Sequence, residues 1–135
     1  MKPIKPIVFV ASPLAGPDET MNIDFARRVC RRIALETGAV PYAPHLLFPQ
    51  FLNDKDPVER ELGISYCSAM LAVSKFAAFA VPVWRDEPSK GMHAEFAVAK
   101  DLRVQWGIGF EHRAKPNDLD LMIRDIGVQF PKVTP

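Results

Sequence analysis

A chain of 135 residues, 48% hydrophobic and 24% charged, with a formal charge of +1, has the make-up of one soluble globular domain of the usual size, about 100 to 150 residues. It has no basic excess to hold a nucleic acid polymer, and its apolar stretch FAAFAVPVW is far too short to cross a bilayer. With no leader pattern at its start, it is expected to be cytoplasmic and to form a single domain over residues 1–135. Cys30 and Cys67, lacking any partner motif, read as free packing thiols.

In chain order, residues 7–11 (IVFVA) form an apolar run bounded by prolines, which suits a buried parallel strand ending in the loop SPLAGP. Apolar residues at 26, 29, 30, 33 and 34 recur with helical spacing across 23–36, and Gly38 follows as a candidate C-cap. AVPYA at 39–43 predicts a short second strand, weakened by Pro41. It runs into PHLLFPQFLNDKDP, a long aromatic loop over 44–57. Loops of that length are usually functional or disordered, and the apolar content argues against disorder.

Positions 58, 62, 65, 66, 69, 70 and 73 make an apolar stripe, broken only by Ser65, that predicts a second helix ending near Ser74. Residues 76–83 are apolar on both faces and predict a central third strand. Ser89 or Lys90 opens a third helix reaching about Lys100, 102–106 predict a fourth strand, and 117–126 a terminal helix, with VQF beyond it as an optional edge strand. This alternation predicts an α/β fold: three layers, doubly wound in the flavodoxin or Rossmann manner around a parallel sheet of four to five strands.

Ligands of such folds bind at the carboxyl ends of the strands. That edge gathers Ser12 and Pro13 after strand one, His45 after strand two, and Ser89 and Gly91 after strand three. Glu95 stands one to two turns into the helix that follows, within the apolar run MHAEFAVA and on nearly the same side as Met92 and Ala99, which face the sheet. A carboxylate on such a face is costly unless it is paired or hydrogen-bonded, which suggests a role. The helix dipole alone also favours an acid in the first turns, and composition does not separate the two readings.

The remaining candidates carry the same ambiguity. His45 reaches the cleft or packs against backbone; Asp54, Glu59 and Arg60 serve a ligand or a surface clamp; Asn22 points at a ligand from the first helix or caps a turn. Phe48, Phe51 and Trp84 stack on a base or fill the core, and His93 falls on the outer side of its helix. Three scattered histidines without ligand spacing predict no metal site, and no cofactor is expected.

The strand ending in VASPL, the segment APHLLFPQFLNDKDPVER, and the strand followed by SKGMHAEFAVAK together resemble the nucleoside 2-deoxyribosyltransferase-like superfamily, most of all a branch of small, often phage- or prophage-encoded proteins. The likeness runs from about Ile7 to Gln105, and its most specific element is Ser-x-Gly-x-x-x-Glu, Ser89 to Glu95. It implies that Glu95 attacks the anomeric carbon of a nucleoside or nucleotide and forms a glycosyl ester, resolved by water or another base. Ser12, Pro13, Asn22, Ser89, Gly91 and Met92 would then hold the sugar or its phosphate, and His45 or Asp54 would supply the acid. The chain departs from the family where Cys67 and Lys75 stand in place of acids and where Val8 and Leu14 replace a tyrosine and an arginine. The alternative is a catalytically weak nucleotide-binding accessory protein. The resemblance also implies a homodimer or higher oligomer, with the loop LLFPQFL as a candidate interface.

Overall fold

The computed structural model describes residues 4–112 and 116–133. It is built on four strands, β1 (Ile7–Ala11), β2 (Val40–Tyr42), β3 (Phe76–Val81) and β4 (Trp106–Phe110). All pair in parallel, in the order β2-β1-β3-β4. Helix α1 (Glu19–Glu36) leads from β1 to β2. The short α2 (Pro44–Leu47), a 3-10 turn (Phe48–Gln50) and α3 (Pro57–Val73) lead to β3. Helix α4 (Lys90–Asp101) leads to β4, and α5 (Asp118–Gln129) follows it. The chain has the three-layer α/β architecture that the alternation predicts.

The alternation of side chains along β1 and β3 divides the core in two. Val8 and Val10, with Phe76, Ala78 and Ala80, pack against Phe25, Val29 and Ile33 of α1 and Ile123 and Ile126 of α5. Phe9 and Ala11, with Ala77, Phe79 and Val81, meet Leu71 of α3 and Met92 and Ala99 of α4. Large faces small across the pair, Phe9 opposite Ala77 and Ala11 opposite Phe79, so the two strands fill one layer without crowding.

Several boundaries differ from those the sequence suggests. Helix α1 begins at Glu19 rather than at 23, because its first turn carries exposed Glu19, Thr20 and Met21 and a buried but polar Asn22, none of which adds to the buried apolar spacing. Strand β4 is not 102–106: α4 runs on to Asp101, Arg103 turns the chain through a left-handed φ of 57°, and the strand proper is WGIGF. Its glycines look like loop punctuation, yet a Cβ on Gly109 would lie 2.8 Å from the Leu119 Cα, so they let α5 lie against the strand. VQF is no edge strand. Val128 and Gln129 finish α5, Phe130 caps it, and the Phe130 carbonyl accepts the Gly38 N–H at 2.7 Å. Thr37, not Gly38, caps α1, and glycine is needed at 38 because the Phe130–Pro131 backbone crosses it.

The largest misreading concerns α3. Of the stripe 58, 62, 65, 66, 69, 70 and 73, only Met70 is half-buried, and the rest are exposed. The sheet is met instead by the side bearing Cys67, Leu71 and Ser74. A helix apolar on two sides yields a periodic stripe that does not say which side is inward. Among the described residues, no helix is long and apolar enough to cross a membrane.

Candidate active site

The connection from β1 runs to one side of the sheet and that from β3 to the other, so the topology reverses between these two strands, where doubly wound folds open a crevice at their carboxyl edge. A cavity of about 560 Å³ opens there. The loop after β1 contributes Leu14 and Ala15, and residues 44–60 contribute His45, Phe48, Asp54, Glu59 and Arg60. Helix α3 lends Cys67 and Leu71, and the β3–α4 connection brings Arg85, Ser89, Lys90, Gly91 and Glu95. A second cavity, of about 480 Å³ between α1 and α5, is lined by Arg32, Glu36 and Asp120, the arginine pairing with the two acids at 2.8 and 2.7 Å.

Ser89 is the N-cap of α4, and its Oγ accepts the Met92 N–H at 3.3 Å. The Lys90 and Gly91 amides, first in the helix, have no acceptor within it and sit on the cavity wall at the positive end of the helix dipole. A Cβ on Gly91 would meet nothing nearer than Ser89 Oγ at 4.0 Å, so its bare backbone is open to the cavity rather than to a packed neighbour.

One turn further, Glu95 faces the same space. Two buried side-chain oxygens among the described residues have no hydrogen-bond partner, Glu95 Oε2 and Ser12 Oγ, and both belong to this edge of the sheet. Burial alone pushes the Glu95 carboxyl up to about 8. Cys67, across the cavity wall, is pushed up to about 12 by burial and then by the nearby Glu95 charge. Burial likewise raises Tyr42 to about 12, with Cys67 adding to it. His45 hydrogen-bonds to the Ser12 backbone, which favours its charged form as does Asp54, but burial outweighs both and holds the imidazole below its ordinary value. Around Glu95 the wall is therefore neutral near pH 7, and the cations Arg60, Arg85 and Lys90 lie elsewhere on the same cavity.

The structure thus brings Glu95, His45, Asp54, Ser89 and Gly91 onto one cavity and leaves Ser12, Pro13, Asn22 and Met92, with Phe51 and Trp84, off its lining. Ser12, 0% exposed, and Pro13 lie buried directly after β1. Met92 is packed into the core with Phe9 and Phe79. Asn22 is spent on structure: its Nδ2 donates to the Leu14 carbonyl at 3.0 Å and its Oδ1 accepts from Trp84 Nε1 at 3.0 Å. It ties the loop after β1 to the loop after β3, and Trp84 rests edge-on against Phe25 instead of stacking in the cavity. Asn22→Ala should leave both partners unpaired and lower stability by about 2 kcal/mol. Urea unfolding checks this, and an unchanged midpoint would deny the bridge its role. Arg85 and Lys90 escaped the sequence reading; a basic residue on either side of the Ser89 cap was the available signal.

No curated protein sequence matches the chain. Among solved structures, the 2-deoxyribosyltransferase of Bacillus psychrosaccharolyticus superposes with a TM-score of 0.58 at 15% identity, over 87% of this chain and 80% of that one. A 2-deoxyribosyltransferase from Leishmania mexicana gives a TM-score of 0.48 at 18% identity, over 78% of this chain and 64% of that one. The first likeness shows a nucleoside 2-deoxyribosyltransferase-like fold, with its carboxyl-edge cavity built from this chain's own residues. A family model matches residues 6–108, from the start of β1 into β4, and the chain accordingly belongs to the family described as a domain of unknown function, DUF7768.

Proposed function

We propose that this protein, as a homo-oligomer, cleaves the N-glycosidic bond of a nucleoside or nucleotide, with Glu95 as the attacking carboxylate. The observation that carries this reading is the Glu95 side chain itself, half-buried on a cavity wall with its Oε2 buried and unpartnered. A fold gains no stability from such a group, and an oxocarbenium-like carbon is a partner that would repay its burial. The free amides of Lys90 and Gly91, with Arg85 and Lys90 beside them, suit the hydroxyl or phosphate end of the sugar. Phe48, Leu52 and Val98 offer an apolar wall to the base. His45 and Asp54 line the cavity; because burial holds His45 neutral, the proton a leaving base takes up would come from water there.

One observation favours the alternative, a nucleotide-binding module. A carboxyl raised to about 8 is mostly protonated at pH 7, and it then donates a hydrogen bond rather than attacking. The deciding experiment incubates the protein with nucleosides and deoxynucleoside monophosphates at about pH 7 and pH 9 and follows free base by chromatography. Base release that grows with pH supports the glycosidic reading. Nucleotide binding with no base released at either pH would replace it with the binding module.

A further inference from the structure

The loop between β3 and α4 carries Arg85 to the cavity and Ser89 to the helix cap, and it is fastened by residues that lie off the cavity. The β3–β4 ladder makes its last backbone rung where the Glu111 N–H donates to the Val81 carbonyl at 2.8 Å. In a regular parallel ladder the next rung joins the Val83 N–H to the Glu111 carbonyl. Here the Glu111 side chain takes that amide instead, its Oε1 accepting at 3.2 Å. Oε2 accepts from Arg28 Nη1 of α1 at 3.0 Å, and the carboxylate side chain is 19% exposed. Arg28 lies over the Phe25 ring, Phe25 meets Trp84 edge-on, and Trp84 donates to Asn22 of the same helix. Val83 is thus tied to β4 and Trp84 to α1. The next residue turns toward the site: the Arg85 N–H donates to the Pro82 carbonyl at 3.0 Å, its Nε donates to the Glu87 carbonyl at 3.2 Å, and it lines the cavity.

We propose that Glu111 is a positioning residue for this cavity: by holding the Val83 amide it fixes the β3–α4 loop, and so keeps Arg85 where it meets the anionic group of a nucleotide. The role toward a ligand rests on the nucleotide reading of the cavity; the hold on the loop does not. Glu111 stands outside residues 6–108, over which the chain matches its family, so the family likeness gives it no role. The Arg28–Glu111 ion pair contributes little by itself, since the Arg28 side chain is 48% exposed. Its effect is on direction: Arg28, paired also with Asp24 at 3.5 Å, anchors one carboxylate oxygen and leaves the other at the loop. Without that acceptor, the segment between Pro82 and Pro88 loses its tie to β4 and opens more readily. A loop ordered before the ligand arrives spares the binding step the cost of ordering it.

The test sets hydrogen exchange beside binding. In Glu111→Ala, the amides of residues 83–87 should exchange about tenfold faster than in the parent, while those of β1 and β3 hold. Glu111→Gln keeps an acceptor oxygen and loses only the charge, so it should stay within about threefold of the parent. Glu111→Met, which keeps the bulk without the acceptor, replaces the alanine variant if that chain does not fold. Calorimetry with the four deoxynucleoside 5′-monophosphates should show binding about tenfold weaker in Glu111→Ala, with the matching nucleosides little affected. Arg85→Ala should bind as weakly, and adding Glu111→Ala to it should weaken binding no further, because a residue that acts through Arg85 has no effect once Arg85 is gone. Unchanged exchange at 83–87 overturns the clamp. Losses that add in the double variant overturn its action through Arg85, and they do so whether or not base is released, which separates that failure from failure of the glycosidic reading. A parent that binds no nucleotide removes the link to Arg85 and the nucleotide reading together, and exchange then decides the clamp alone.

Discussion

Glu95→Gln is expected to lower base release by several orders of magnitude while nucleotide binding survives. Glutamine keeps the shape of the side chain but removes the charge that stabilises a developing oxocarbenium and the oxygen nucleophile that would trap it. The pH profile adds a signature. Because burial pushes the carboxyl to about 8, roughly one-tenth of the free enzyme is ionised at pH 7. The basic form is the active one, so kcat/KM should climb about tenfold per unit below pH 8 and level off above it. An arabino substrate with a 2-fluoro group should slow turnover and leave a mass adduct on Glu95. If Glu95→Gln releases base as fast as the parent, Glu95 is not the nucleophile.

How much of this was legible in the sequence depended on how many constraints bore on each residue. The apolar runs of β1 and β3 and the turn at Ser89 are fixed locally, by burial on both faces and by a side chain that caps its own helix, so strand, turn and cavity edge could be read directly. Glu95 was legible because an acid among small apolar residues is locally discordant. Asn22 was not: nothing near it in the sequence shows that Leu14 and Trp84, 8 and 62 residues away, would take both ends of its amide. Met92 shows the same limit, since its helix position places it beside Glu95 whether it points to the core or to the cavity. Strand β4 was placed at 102–106, four residues early, because its glycines serve α5, a contact made only in the folded protein. For α3 the periodicity was real, but it marked the side the monomer leaves bare.

Glu95→Gln should also make the protein more stable as the pH rises, and this separates the two readings of the residue that composition left open. A carboxyl at about 8 in the folded state and near 4.5 in the unfolded chain keeps its proton on folding where the unfolded chain gives it up. Its contribution is therefore fully present below about pH 4.5, declines as pH rises, and is lost above about pH 8. At 1.36 kcal/mol per unit the span is on the order of 5 kcal/mol, and glutamine, which does not titrate, escapes it. His45, held below its ordinary value, slopes the other way as pH falls through its range, but it is present in both proteins and drops out of their difference. Urea unfolding at pH 5, 7 and 9, at one protein concentration so that self-association does not enter, should show the variant drawing ahead of the parent by a few kcal/mol. A glutamate held only by the helix dipole predicts the opposite: its loss would cost about 0.3 to 1 kcal/mol, and most at high pH, where it is charged. Parallel stability curves, or a variant weaker than the parent at pH 9, would mean that Glu95 is not a strained, buried acid, and would remove the observation on which the glycosidic reading rests.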